Sequence, residues 1–230
     1  MRESRVVEQG PPATTTSARP IRVLIVDDHD VLASSLAMVL EAEDDISAVG
    51  VATTLEQAHA MIGSTHPDVL LLDHRMPDGD GVAAIVSLRA LRPSIGVVVL
   101  TASSADHVLL AAIEAGASGF LSKTRSLDEV TAAVRAAAAG ESVISPEMLA
   151  RLLPRFGRSS PHAVDELTER EREVLALVAE GLSNAAIADR LVVSVHTVRN
   201  HIASLSGKLG AHSKLEALSI AVRRGLLPDL

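Results

Sequence analysis

From Ile21 onward the chain alternates short, unbroken apolar runs with longer stretches whose apolar residues recur every three or four positions. The runs are "VLIVD", "SAVGVA", "DVLLLD", "GVVVLT" and "GFLS", and the spacing between them predicts helices near 31–42, 55–63, 80–91, 105–115 and 127–139. A strand that is apolar throughout, rather than on alternate residues, is buried on both faces. The intervening helices supply the cover. Five such strand–helix units predict a doubly wound α/β domain with a five-stranded parallel sheet over residues 21–140. "TLEQ" at Thr54 and "SLDE" at Ser126 read as capping boxes. In that motif the first hydroxyl accepts the fourth residue's N–H and the fourth side chain reaches back.

The pattern fades after Gly140. One short amphipathic stretch is followed by Pro154, Gly157, Ser159, Ser160 and Pro161, so residues 141–164 read as a linker. Periodicity resumes at the capping box "TERE" of Thr168, and residues 165–230 look entirely helical. Residues 1–20, "MRESRVVEQGPPATTTSARP", lack apolar periodicity and are expected to form a disordered tail.

Charge sharpens this division. The net charge of the 230 residues is −8. Residues 21–140 hold 16 acidic and 7 basic side chains, a net of −9, whereas residues 189–224 hold 2 and 6, a net of +4. An acidic body with a small basic end suggests two domains with different partners. The absence of cysteine excludes disulfides, thiolate catalysis and cysteine-based zinc sites. No uncharged apolar run reaches the roughly 18 residues of a membrane helix, and the N-terminus has no secretory core, so a soluble cytoplasmic protein without membrane partners is expected.

The candidate chemistry lies where strands end. Asp27 and Asp28 follow the first apolar run, and Asp73, Thr101 and Lys123 close three others. In a parallel sheet those ends share one edge, above which ligands bind. Adjacent carboxylates repel, and a divalent cation such as Mg2+, which prefers oxygen ligands, would hold them together. One carboxylate could then act as nucleophile on a phosphoryl donor and form an acyl phosphate, with Lys123 as fixed charge and Thr101 as hydroxyl donor. His29 and His74, beside the pocket, read as loop residues rather than ligands. A phosphohydrolase working through an aspartyl phosphate would use the same groups, but no long insertion is available as a cap over the substrate.

In the helical end, Gly181 stops one helix, Ser183 can cap a second and Ser194 a third. The last two make a helix-turn-helix, whose second helix can enter the DNA major groove. Val195, Val198, Ile202, Leu205 and Leu209 form its expected inward stripe, leaving His196, Arg199, Asn200 and Ala203 on the opposite face. Arginine suits guanine or phosphate, and asparagine suits adenine. A final helix opens with the capping box "SKLE" at Ser213 and carries Leu215, Leu218, Ala221 and Val222.

"VDDHD", "LLDHRMPDGDGV", "VLTA" and "AGASGFLSK" match, in order and spacing, the motifs of the receiver domain of bacterial two-component response regulators. Residues 167–227, with "LTEREREVL", "GLSNAAIA" and "TVRNHI", resemble the LuxR-type DNA-binding domain. The two together resemble the NarL/FixJ family. The resemblance implies a flavodoxin-like receiver with Asp73 as phosphoacceptor, and Mg2+ held by Asp27, Asp28, Asp73 and the backbone carbonyl of Arg75. Thr101 and Lys123 would contact the phosphoryl group, with Phe120 as switch aromatic. It further implies a transcription regulator rather than an enzyme, phosphorylated by a sensor histidine kinase. Promoter DNA would be contacted through His196, Thr197, Arg199, Asn200 and Lys208, and the last helix would pair two copies into a homodimer. A regulator whose receiver serves only as a dimerisation scaffold is the other non-enzymatic reading. Ala203, Ser206 and Gly207 depart from the family pattern. Gly207 costs roughly 1 kcal/mol of helix stability relative to alanine, so the recognition helix is expected to weaken past Leu205.

Overall fold

This computed structural model of the protein describes residues 19–102, 105–156 and 167–227. Most of the expected tail and the last part of the expected linker, 157–164, lie outside the described residues.

Five parallel strands, β1 (Ile21–Val26), β2 (Ile46–Ala52), β3 (Val69–Asp73), β4 (Gly96–Thr101) and β5 (Gly119–Ser122), pair in the order β2-β1-β3-β4-β5. The order reverses beside β1, which is where a doubly wound sheet opens a crevice above its carboxyl edge. Helices α1 (Asp30–Glu41), α2 (Leu55–Thr65), α3 (Gly81–Leu91), α4 (Asp106–Glu114) and α5 (Leu127–Ala138) connect the strands. All residues of β3 and β4 are buried, as their unbroken apolar runs require, whereas β2 at the edge is only partly covered. The apolar residues form two layers, one on each sheet face, and the layer containing Leu24 and Leu70 continues into the helical end.

The capping boxes divide into two kinds. Ser126 and Thr168 make the full reciprocal pair with Glu129 and Glu171. Thr54 and Ser213 accept the expected N–H, but the returning side chain goes one residue too far. Gln57 accepts from Thr53 N at 2.9 Å, and Glu216 from His212 N at 2.7 Å.

After α5 the chain does more than link. Val143 N donates to the Ser118 carbonyl and Val143 O accepts from Phe120 N, both at 2.9 Å, extending the sheet beyond β5. Gly119 is required there, because a side chain would run into the Val143 backbone. Helix α6 (Pro146–Leu152) follows. Arg151, in its last turn, and Arg155, just beyond it, both reach Asp106 in the first turn of α4, at 3.1 and 3.2 Å.

The helical end comprises α7 (Glu169–Ala179), α8 (Asn184–Leu191), α9 (Val195–Leu209) and α10 (Lys214–Arg223). Val198, Ile202, Leu205 and Leu209 are buried as expected, but Val195 is exposed, since the first residue of α9 precedes the turn that packs. Helix α9 does not end at Leu205. It runs to Leu209 and stops at Gly210, whose φ of 73° is the left-handed conformation glycine adopts readily.

What carries α9 past Gly207 is Glu171. This buried carboxylate accepts from Ser204 Oγ and Lys208 Nζ, both at 2.7 Å, on either side of the glycine. Burial pushes the Glu171 carboxyl up. The Lys208, Ser204 and Thr168 donors outweigh it and hold the pKa at about 2, against a usual 4.5. A depressed carboxyl contributes stability that is present above its unfolded pKa and lost as pH falls toward the folded one.

The receiver half and the helical half meet along α10, whose residues 214–219 are all buried. Arg89 of α3 lies at the centre of this contact. It donates to the carbonyls of Pro93 and Gly116 at 3.0 Å, of Ile95 at 2.9 Å and, across the boundary, of His212 at 2.5 Å. Burial pulls its guanidinium below the usual value, opposed by Glu216. Ser213 Oγ donates to the Ala117 carbonyl at 2.9 Å, and Arg223 pairs with Glu114 at 3.0 Å.

Substituting Glu171→Gln should lower stability at neutral pH by about 1–3 kcal/mol, because Lys208 loses a buried charged acceptor. Thermal melts of wild type and variant should converge as pH falls from about 4.5 toward about 2. Equal melting temperatures at pH 7 would deny Glu171 that part.

Candidate functional site

Each strand of the sheet's inner part delivers a polar residue to one edge. Asp27 directly follows β1 and is fully buried, Asp73 ends β3 at 3% exposure, and Thr101 ends β4 at 5%. Lys123 follows β5, and its N–H donates to the Thr101 carbonyl at 3.0 Å, which ties the two strand ends together. Residues separated by up to about a hundred positions thus converge, as the parallel topology requires. Gly81 permits the close approach, since a side chain on it would collide with the Asp73 backbone carbonyl.

Lys123 Nζ sits 2.7 Å from Asp27 Oδ2 and 2.6 Å from Asp73 Oδ2, bridging both buried carboxylates. Burial alone would push this ammonium's pKa down, but the two carboxylates raise it above its usual value. Asp28 is partly exposed at the pocket mouth. The three aspartates against one lysine leave two uncompensated negative charges. A divalent cation would balance them, and hard oxygen donors suit Mg2+. One donor atom each from Asp27, Asp28, His29 and Asp73 lie within 4.8 Å of one another.

His29 comes closer than a mere loop residue would suggest. Its Nδ1 lies 2.9 Å from Asp27 Oδ1 and 2.9 Å from Asp28 Oδ1, although the ring is largely exposed. His74 Nδ1 lies 3.3 Å from Asp73 Oδ1. The Arg75 N–H donates to Asp73 Oδ1 at 3.3 Å, so the backbone of this residue passes over the pocket. The DDH and LDH sequences carried a signal for both histidines, since a residue next to a pocket aspartate in the chain stays near it in space.

Thr101 and Phe120 line a partly open pocket of about 500 Å3 together with Ile144 and Met148 of the connecting segment. Phe120 is turned inward, at 7% exposure. A pull on Thr101 therefore acts on a space bounded by the connector.

In the helix-turn-helix, Ser194 caps α9 by accepting from Thr197 N, and its hydroxyl also lies 2.8 Å from that of Thr197. His196, Arg199 and Asn200 are exposed, with His196 Nε2 and Asn200 Nδ2 3.3 Å apart. Arg199 and Ala203 look across a cavity of about 260 Å3 at Arg89, Pro93 and Gly140 of the receiver half. Lys208 is committed to Glu171 rather than extended to solvent as a phosphate contact would be. The sequence carried that alternative in the spacing of "TERE", but nothing local linked Glu171 to a residue 37 positions on. Among the described residues no helix is long and apolar enough to cross a membrane.

Residues 23–135 match the family model of the response regulator receiver domain, and residues 165–221 that of the bacterial regulatory proteins of the luxR family. The chain is 33% identical over 207 residues to the response regulator protein VraR of Staphylococcus aureus, covering 90% of this chain and 99% of VraR. It is similar to a LuxR-family two-component response regulator from Aurantimonas sp. SI85-9A1, at 25% identity and a TM-score of 0.55, covering 59% of this chain and 97% of that one. The two-component response regulator RcsB in complex with DNA is similar at 26% identity and a TM-score of 0.53, covering 89% and 99%. The chain accordingly belongs to the NarL/FixJ family of two-component response regulators, with a receiver domain followed by a LuxR-type DNA-binding domain.

Proposed function

We propose that Asp73 is the phosphoacceptor of this regulator and that phosphorylation opens the molecule for promoter binding. The observation that carries this reading is the Lys123 ammonium bridging Asp27 and Asp73 at the edge where Thr101 also ends. In the reaction, an Asp73 carboxylate oxygen attacks the phosphorus of a phosphohistidine on a sensor kinase. The P–N bond breaks and the imidazole leaves with a proton, so that an acyl phosphate forms. Asp27, Asp28, Asp73 and the Arg75 carbonyl would hold Mg2+, which when bound lowers the repulsion between the carboxylates and the incoming phosphoryl oxygens. Lys123 then moves from sharing two carboxylates to pairing with a phosphoryl oxygen, and Thr101 donates its hydroxyl to another.

That rearrangement draws Thr101 away from the cavity it shares with Phe120. The aromatic ring, α4 and the two arginines on Asp106 carry the shift to α6. The closed molecule buries α10 and sets receiver residues across a pocket from Arg199, so opening frees a pairing helix and clears the approach to a recognition face that is itself already exposed. The DNA contacts proposed are His196, Thr197, Arg199 and Asn200. Lys208 joins them only if Glu171 releases it. A pair of opened chains, acting in the cytoplasm, would read paired half-sites, as the two-fold symmetry of dimeric helix-turn-helix proteins requires.

Light scattering with Mg2+ and beryllofluoride, a stand-in for the phosphoryl group, should raise the mass of wild type from monomer to dimer and leave Asp73→Asn unchanged. A response of both proteins, or of neither, would remove Asp73 from the input. With beryllofluoride present, Arg199→Ala should weaken binding to a duplex selected from a random pool by about 1–3 kcal/mol. Unchanged affinity would show that Arg199 does not touch the DNA.

A further inference from the structure

The boundary between the two halves contains a small charged node that neither the phosphoryl pocket nor the recognition face uses. Just after α5, Gly140, whose φ is 72°, reverses the chain, and the next N–H, of Glu141, donates back to the Ala136 carbonyl at 2.9 Å. This closure aims the Glu141 side chain away from the sheet and at the first turn of α8. There the two carboxylate oxygens accept from Asn184 N at 3.0 and 3.1 Å. Ser183 caps the same turn by accepting from Ala186 N, so the first amide of the helix would lack an acceptor without Glu141.

Lys214 completes the node. Its side chain is 4% exposed, and its Nζ lies 3.3 Å from Glu141 Oε2, 3.0 Å from the Leu182 carbonyl and 3.1 Å from Asn184 Oδ1. Two of those three partners are neutral, and only Glu141 neutralises the buried ammonium. Burial lowers the Lys214 pKa, and Glu141 opposes that fall. A cavity of about 320 Å3 adjoins the node, lined by Ser142, Ser183 and Val178 among others. The molecule therefore already holds an anion at this place, gripped by a helix N-terminus and a buried cation together.

We propose that this is a nucleic-acid phosphate site, and that Glu141 is its intramolecular occupant in the closed molecule. In a helix-turn-helix the first helix crosses the DNA backbone while the second lies in the major groove. Helix N-termini and lysines are among the groups that hold backbone phosphates. Helix α8 is that first helix, so its leading amide and Lys214 stand where the strand must pass. A carboxylate and a phosphate cannot share one amide and one ammonium. Closing against the receiver and gripping DNA thus compete for the same atoms, independently of whether the recognition helix itself is covered. Because Glu141 is fixed to the end of α5, the competition is sensitive to any movement of the receiver against α8.

This inference rests on the DNA-binding reading above, and the test separates the two. Binding of a labelled mixed-sequence duplex to the unphosphorylated full chain would be followed by fluorescence anisotropy over a range of KCl concentrations. Glu141→Gln, which removes the competing carboxylate and keeps the Lys214 side chain available to another anion, should tighten binding about tenfold or more relative to wild type, the equivalent of 1.4 kcal/mol. Adding Lys214→Met to Glu141→Gln should lower the slope of log affinity against log salt by about one, the loss of one phosphate contact. Lys214→Arg in the same background should restore that slope, which separates lost charge from damaged folding. Wild-type affinity in Glu141→Gln would overturn the competition. A slope indifferent to the charge at residue 214 would overturn the phosphate site and reduce Glu141 to a strut. If beryllofluoride-activated wild type bound no duplex at all, the DNA-binding reading would fall instead.

Discussion

Two buried carboxylates bridged by a single ammonium at one edge of a sheet, with a third carboxylate at the pocket mouth, are the constraint around which the receiver half is arranged. Asp27 and Asp73 are buried, and ionised groups in that position are tolerated only when paired. Lys123 supplies the pairing at 2.7 and 2.6 Å, yet leaves the site short of positive charge. Parallel strands are the means by which such distant residues meet, and their unbroken apolar sequences keep the edge rigid. A site short of positive charge at a fixed edge suits a cation and a phosphoryl group, whose proposed arrival would re-pair Lys123 and Thr101 without refolding the sheet.

Redistribution at the edge matters only if something beyond it has two arrangements of similar free energy. The boundary between the halves has the character such a balance needs. It includes polar groups paired across the halves, Arg89 with His212, Ser213 with Ala117 and Arg223 with Glu114, rather than a deep apolar seam alone. Arg89 gathers four carbonyls, three from its own half and one from His212. Buried ion pairs add little net stability over apolar replacements, but breaking one partner is costly. Such contacts fix one docking geometry closely without adding much net stability to it.

Much of this was legible in the chain because it depends on local spacing. The unbroken apolar runs specified buried parallel strands, and placed Asp73, Thr101 and Lys123 at their ends. Helix stops and serine caps located the helix-turn-helix. Legibility failed where the deciding partner was distant. Ser213 and Thr54 carried the capping motif, but the returning acid or amide chose a neighbouring N–H because other packing set its direction. Val195 fitted the inward stripe by period alone, yet a helix's first residue has no preceding turn against which to pack. Gly207 suggested a weak end to α9, and only the fold shows Glu171 clamping Ser204 and Lys208 across it. Nothing in the periodicity of α10 announced that receiver residues would cover it.

That last gap has a physical reason with a consequence for how the switch must work. An amphipathic helix records in its sequence how wide its apolar face is, not which surface covers it. Leu215, Leu218 and Ala221 are buried here, with α10 packed on α9 and α7 of its own half and on α4 across the boundary. If, as proposed, opened chains pair through α10, the surface that leaves the receiver would be hidden again by the partner copy. Assembly would then offset part of the cost of opening, and the phosphoryl group would supply the remainder. Such an arrangement would make the fraction of open molecules depend on protein concentration as well as on phosphorylation, because only the paired state would recover the burial that opening gives up.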